Sequence, residues 1–342
     1  MKLTAHNASA SVQRRICVLF PGALGDFICF LPSLQVLVQD AEVHLYACSE
    51  FADLVPTGVV VWSLERPEIS KLFAADDRDD EPAQKFFASY AVIYSWLGSQ
   101  QTEFVRRLHT ASRGAVNVFP FRPAARIHQI DHYLSCLNQS VGLEHRPVIE
   151  LRHEGVLWRD DFWHKHALNR RPVLTVAPGS GAREKNWPEA FFLAVADWWR
   201  DATGGVVVLL LGPVEEERGG VERLRGGCVV ASGLRLSQVA ALVARSDLYL
   251  GNDSGLSHLA AAAGARTVVL FGPSDIARWG PRGRRVTIVS RHIECSPCQS
   301  ATMKKCSHHG CLTALDPSEV VKLLAQLPEV VTLTPKGAGI TV

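Results

Sequence analysis

Short apolar runs rich in β-branched residues recur along the chain, and between them apolar residues return every three or four positions. In the first half, the runs 16–20, 43–47, 59–62, 90–96 and 115–119 predict strands; in the second half, 173–177, 206–211, 248–251, 267–271 and 286–289 do so. The helical period covers 25–39, 127–141, 188–201, 237–246, 256–264 and 317–327. Strands alternating with helices predict parallel sheets joined by crossover connections. Both halves carry the pattern, so the expected fold is α/β with two doubly wound domains. The period weakens and charge rises between 142 and 171, where the domain boundary is expected. Inside that interval, 155–168 reads as an amphipathic segment packing Leu157, Trp158 and Trp163.

Length agrees with two domains, since 342 residues exceed what a single core holds. A hydrophobic content of 47% and a charged content of 20% fit an ordinary globular protein. The net charge of +2 offers no general attraction to nucleic acid, so no nucleic-acid partner is expected. Charge is nevertheless concentrated between Ile276 and Cys311, where Arg278, Arg282, Arg284, Arg285, Arg291, Lys304 and Lys305 face a single acid, Glu294. Such a stretch suits an anionic partner. Residues 1–13 lack the apolar core of a signal peptide, and no run of about 18 apolar residues occurs, so a cytoplasmic location is expected. Nine cysteines in a chain without an export signal argue against a disulfide scaffold. Cys17, Cys29, Cys48, Cys136 and Cys228 lie among apolar neighbours and read as small core residues.

Candidate chemistry sits where predicted strands end. Pro21-Gly22-Ala23-Leu24-Gly25-Asp26 follows the first strand and opens a helix, which puts a carboxylate on a strand-to-helix turn. The turn glycines, Gly22 and Gly25, let a ligand or a second backbone come close. Asp26 suits either a helix cap or a general base for a hydroxyl nucleophile. The turn lacks the three glycines of a dinucleotide fingerprint, which disfavours a nicotinamide-linked oxidoreductase. A second loop, 178–188, combines Gly179, Ser180 and Gly181 with Lys185 and a proline at the next helix start. Its amides, hydroxyl and cation are what a diphosphate needs. In the third, Gly251-Asn252-Asp253-Ser254-Gly255-Leu256-Ser257-His258, Asp253 and Ser254 are placed to cap a helix whose first amides can bind an anion. The fourth, Gly212-Pro213-Val214-Glu215-Glu216-Glu217, offers a carboxylate to ribose hydroxyls, or simply acids in a first helical turn. The acidic stretch 75–82 contains Asp77-Arg78-Asp79, a spacing that metal-dependent sugar transferases use for a divalent ion. It follows no buried strand and ends in Pro82, so it reads as a solvated loop.

Taken in order, these segments resemble glycosyltransferase family 9, the bacterial heptosyltransferases. The resemblance runs from Gly22-x-x-Gly25-Asp26 with Pro32, through His128 and Tyr133-Leu134, to Pro178-Gly179-Ser180 and Lys185-x-Trp187-Pro188. It continues over Asp253-Ser254-Gly255-Leu256-Ser257-His258 and closes with Phe271-Gly272-Pro273-Ser274. It implies a GT-B type architecture of two Rossmann-like domains facing a cleft. Residues 1–160 would be the acceptor-binding domain carrying the catalytic base, and 161–342 the nucleotide-sugar-binding domain. It further implies inverting transfer of a heptose or similar sugar from an ADP-sugar donor to a lipopolysaccharide core or other lipid-linked saccharide, with no cofactor required for catalysis. By position, Asp26 would be the base and Lys185 the cation that steadies the departing diphosphate. Ser180, Asp253, Ser254, Gly255, Leu256 and His258 would hold the donor, and Glu215, or its neighbour Glu216, the ribose. The basic stretch would meet phosphorylated acceptor or anionic headgroups, giving peripheral contact with the inner face of the cytoplasmic membrane. Two other readings keep the fold: another nucleotide sugar or a protein acceptor, and a non-catalytic nucleotide-sugar binder, against which the presence of both Asp26 and Lys185 counts.

Cys295, Cys298, Cys306 and Cys311, in a C-x2-C-x7-C-x4-C arrangement at 295–311, have the spacing of metal ligands. Structural zinc is one expectation and iron, which the resemblance adds, is another. A reduced metal-free loop and disulfides formed on oxidation are the alternatives.

Overall fold

The computed structural model describes residues 14–74 and 81–333. The Asp77-Arg78-Asp79 stretch and residues 1–13 lie outside that range. The chain divides into two compact units, each built on one parallel sheet. The first takes in the chain up to Pro21, Leu34–Ala52 and Pro56–Phe121; the second takes in Gly22–Ser33, Asp53–Val55 and the chain from Arg122 on. The start of the helix Leu24–Leu37, with Asp26, therefore belongs to the second unit.

In the first unit, β1 (Arg15–Leu19), β2 (Glu42–Ala47), β3 (Val59–Ser63), β4 (Val92–Ser95) and β5 (Ala115–Val118) form a sheet in the order β3-β2-β1-β4-β5. The central strand β1 is buried from Ile16 onward, as a parallel strand covered on both faces must be. Cys17, Leu19, Tyr46, Ile93, Phe104 and Leu108 form the middle of its core. Tyr46 and Tyr90 share a buried hydroxyl hydrogen bond of 2.7 Å, which lets two phenols enter that core with their polar ends satisfied.

In the second unit, β6 (Val173–Ala177), β7 (Val206–Leu210), β8 (Val229–Ala231), β9 (Leu248–Asn252), β10 (Thr267–Phe271) and β11 (Val286–Ser290) follow the order β11-β10-β9-β6-β7-β8. Every residue of β6, β7, β9 and β10 is buried. The helix Glu189–Thr203 covers the sheet with Phe192, Val195, Ala196 and Trp199. It ends on Gly204 at φ 62°, the left-handed position that glycine occupies without strain. In both sheets the strand order reverses beside the first strand. A crevice for ligands forms at such a point, beyond the carboxyl ends of the two central strands. Here those strands are β6 and β9.

The strands of the sequence reading are present within a residue or two, with one addition. β8 is only three residues long, too short to display a period. The amphipathic segment is the helix His153–Lys165, which buries Phe162 and Trp163. Leu157 does not pack as expected and is 52% exposed. At about 100° per residue it lies roughly 140° around the helix from Phe162. Arg245 stacks its guanidinium on Trp163 at 5.2 Å. Among the described residues no helix is long and apolar enough to cross a membrane.

Gly155 lets this helix meet the helix Leu236–Arg245, because the Ser237 carbonyl stands where a side chain would begin. Helix propensity alone favours alanine at such a position by about 0.5–1 kcal/mol. Overpacking costs about 1–3 kcal/mol and decides the sign. Gly155→Ala is therefore expected to unfold at lower urea concentration with an unchanged m value, and a stabilised variant would contradict this packing.

Candidate active site

β6 and β9 run side by side, with Ala177 paired to Gly251, so the loops that follow them emerge together. Asn252 ties those loops into one surface. Its side chain is fully buried, donates Nδ2 to the Pro178 carbonyl at 2.6 Å and accepts the Trp187 amide on Oδ1 at 3.0 Å. A buried amide with both ends satisfied fixes spacing as an apolar side chain could not. On that surface Lys185 Nζ donates to Asp253 Oδ2 at 2.8 Å. Asp253 is nearly closed off, whereas Lys185 is partly exposed. The sequence reading had Asp253 and Ser254 capping the helix Gly255–Ala262. Ser254 occupies the cap position, but its side chain makes no capping bond, and Asp253 is turned to Lys185.

The start of that helix abuts the start of Leu24–Leu37. A side chain on Gly255 would begin 2.9 Å from Leu24 Cβ and 3.0 Å from the Gly25 amide nitrogen, so only glycine permits this approach. Two positive helix ends thus meet. Asp26, in the first turn and only 9% exposed, lies beside them. Arg122 grips both of its oxygens, Nη1 on Oδ1 and Nη2 on Oδ2, the latter at 3.1 Å. The same guanidinium lies over the Trp279 ring, 4.6 Å from its centroid. Deeper in, Cys29 Sγ is 3.7 Å from His258 Nδ1. Burial holds the His258 imidazole below its ordinary pKa, against the pull of Asp253 and Asp26 and with the help of Lys185. Burial raises the Cys29 thiol far above its usual range, and the Asp26 charge adds to this, so it is a neutral packing group. The Asp26 and Lys185 charges thus both act on this one imidazole.

To one side, Gly179, Ser180 and Glu215 line an open cleft with Asn186, Gly220 and Val221. Glu215 accepts the Gly212 amide at 3.0 Å, closing its own helical turn. It also occupies the space a side chain on Gly179 would need. Ser180 Oγ sits between the Ala182 carbonyl and Asn186 Oδ1, both at 2.6 Å. Leu256 lies partly exposed in the first turn of its helix. Gly22 is buried, and Gly25 approaches Gly255 and His258.

Asp26, Lys185, Asp253, Gly255 and His258 are therefore gathered, with Ser180 and Glu215 in the adjoining cleft. Arg122, Trp279 and Asn252 were not singled out from sequence. Arg122 belongs to an irregular Phe121-Arg122-Pro123 segment with no period to read. Asn252 did carry a signal, a polar residue ending an otherwise apolar strand. The basic stretch is less available than its composition implied. Arg282 forks onto Asp131 at 2.7 and 2.6 Å and donates to the Gly142 carbonyl at 2.9 Å. Arg291 pairs with Glu319 at 3.0 Å. Cys295, Cys298 and Cys306 lie close enough to Cys311 for each to push its thiol further up, after burial, to about 11. Their arrangement does not fit a metal ion: among the described residues no group of three or more His, Cys, Asp or Glu side chains is placed to hold one.

The family model of glycosyltransferase family 9 (heptosyltransferase) matches residues 99–308. Lipopolysaccharide heptosyltransferase 1 of Pseudomonas aeruginosa is 31% identical over 134 residues, 38% of this chain and 37% of that protein. The alignment thus spans little more than a third of the curated relative's length. Among solved structures, the glycosyl transferase family 9 protein of Veillonella parvula superposes with a TM-score of 0.70 at 22% identity, covering 94% of this chain and 97% of its own. The E. coli ADP-heptose lps heptosyltransferase II does so with 0.66 at 18% identity, covering 93% and 98%. At these identities the superpositions establish the fold.

His128 precedes the helix Gln129–Cys136 and accepts the Ile130 amide on Nδ1 at 3.2 Å, while Nε2 meets the Gly280 carbonyl at 2.9 Å. Those partners require a neutral ring protonated on Nε2. Burial first, then the Arg282 charge, lowers its pKa to about 4, although the Gly280 carbonyl pulls the other way. The unfolded chain therefore binds the proton first as pH falls below about 6.5, and folded stability drops at up to about 1.4 kcal/mol per unit until pH nears 4. Urea unfolding of the parent and of His128→Gln between pH 7 and pH 4.5 checks this. The variant should lose stability less steeply on acidification, and parallel slopes would refute the assignment.

Proposed function

The chain belongs to glycosyltransferase family 9, and from that premise we propose that it transfers a heptose from an ADP-sugar to a saccharide acceptor of the lipopolysaccharide core, with inversion. The observation that carries the reading is the grouping of Asp26, Lys185, Asp253 and the start of the helix Gly255–Ala262 in one compact unit. In this reading the acceptor hydroxyl gives its proton to Asp26 as its oxygen attacks the anomeric carbon. The bond from that carbon to the diphosphate oxygen breaks on the opposite side, and ADP departs with the electron pair. Lys185 and the amides opening the helix Gly255–Ala262 oppose the charge that develops on the leaving group. Base assistance contributes about 10²–10⁴-fold, and a preorganised charge on the leaving side about 3–4 kcal/mol. Asp253 keeps Lys185 extended toward the site, and Glu215 faces the ribose from the cleft it shares with Ser180. Residues 1–160 supply acceptor contacts and 161–342 donor contacts. The acceptor is lipid-linked, so the enzyme works peripherally at the inner face of the cytoplasmic membrane.

No step runs through a metal. Cys295, Cys298, Cys306 and Cys311 are not placed to hold an ion as they stand, and a structural zinc or iron would need them to rearrange into four thiolate ligands, which leave no open position for the reaction. Elemental analysis of freshly purified protein checks this: a metal-free chain agrees with the arrangement described, and stoichiometric zinc or iron overturns it.

Asp26→Asn is expected to lower kcat by about 10²–10⁴-fold while ADP still raises the melting temperature as in the parent. Lys185→Met is expected to cost about 10²–10³-fold and to weaken ADP binding as well. Turnover is read as ADP release from ADP-heptose with a lipopolysaccharide core acceptor. Full activity of Asp26→Asn would end the base assignment. Equal stabilisation by UDP- or GDP-sugars would end the donor assignment, since a ligand bound only by the native state raises stability by mass action.

A further inference from the structure

We propose that Arg122 is the positioning residue for Asp26, and that residues 122–128 act as a strap holding it there. The inference rests on the reading of Asp26 as the base. A carboxylate at a helix start can rotate about its side chain, yet only one orientation aims an oxygen at a given hydroxyl. Arg122 removes that freedom by engaging both oxygens at once. A planar guanidinium fork fixes both the plane and the rotation of a carboxylate, which a point charge cannot do.

Arg122 itself lies in an irregular, exposed segment that no helix or strand holds. Three contacts of residues 122–128 with residues 275–280 help to set its place. The guanidinium of Arg122 rests on Trp279 at 4.6 Å. Arg126 forks onto Asp275 at 2.6 and 2.9 Å. His128 Nε2 reaches the Gly280 carbonyl at 2.9 Å. The receiving side is braced in turn, because Asp275 accepts the Ala277 amide at 3.1 Å and so caps the short helix Ile276–Trp279.

The arrangement also answers a problem of charge. Asp26 and Lys185 both act on His258, so each lies within electrostatic range of that ring. A base free to rotate near a mobile ammonium would be drawn to it, and both groups would be lost to the reaction. Arg122 occupies Asp26 and Asp253 occupies Lys185, so base and cation stay separate.

Kinetics of Arg122→Ala, Arg122→Lys, Trp279→Phe and Trp279→Leu, run beside Asp26→Asn, test the proposal. Arg122→Ala should lose about 10²-fold in kcat, the scale of a misplaced catalytic group, with an unchanged KM for ADP-heptose and an unchanged ADP-induced melting shift. Millimolar guanidinium should restore part of that rate. Arg122→Lys should recover little, because an ammonium does not fork. Trp279→Phe should keep most of the rate, and Trp279→Leu should lie between it and Arg122→Ala. An Arg122→Ala protein with parental kcat overturns the proposal, as does one whose loss guanidinium leaves untouched. If Arg122→Ala does not fold, Trp279→Leu and Arg126→Ala carry the test, and parental kcat in both overturns it. The two failures differ: an active Asp26→Asn sinks the base itself, whereas an inactive Asp26→Asn beside an active Arg122→Ala sinks only the strap.

Discussion

Opposite charges placed close together in a partly dry site neutralise one another unless each has a nearer partner. That constraint organises the second unit of this protein. Asp26 is held by Arg122 and Lys185 by Asp253, so the site carries two closed pairs in place of one pairing between the groups proposed to react. The pairs arise from distant parts of the chain, and each depends on a different piece of scaffold. Asp26 and Arg122 are 96 residues apart, whereas Lys185 and Asp253 are 68 apart. Neither pair is a deep salt bridge, because Arg122 and Lys185 each retain exposure to solvent.

The sheet supplies the rest. Parallel strands deliver their following loops to the same end, and reversal of strand order beside β6 brings two of those loops together. Asn252 converts that proximity into a fixed distance by bonding the backbone of the neighbouring loop twice. Leaving either partner unsatisfied in a buried setting costs about 1–3 kcal/mol, so the joint has little room to drift. Gly255 performs the matching task at the other edge of the site, where the start of Leu24–Leu37 comes up against the helix Gly255–Ala262.

Much of this was legible in the sequence because the signals are local. The run 173–177 is a strand bounded by a proline-glycine turn, and it forms without adjustment. Lys185 and Asp253 lie in strand-end loops whose composition announces them. What escaped was either too short or too remote. β8 has three residues, and a period cannot be seen in three. Leu157 was assigned to a buried face on hydrophobicity, but the register set by Phe162 and Trp163 turned it outward. Arg122 acts through a partner early in the chain and another late in it, and no spacing rule links those three places. The basic stretch failed for a related reason: a count of arginines does not reveal that Arg282 is engaged by Asp131.

The close approach at Gly255 has one more consequence. Because the two helix starts meet through main-chain atoms, the gap between them follows from atomic radii and not from the chemistry of any side chain. Drift in sequence cannot tune that gap by small steps, since even a methyl group overshoots. Divergence in ligand preference would then have to arise elsewhere, at positions such as Val221 and Gly220 on the open flank. The molecule has, in effect, one dimension that is inherited whole and another that is free to vary.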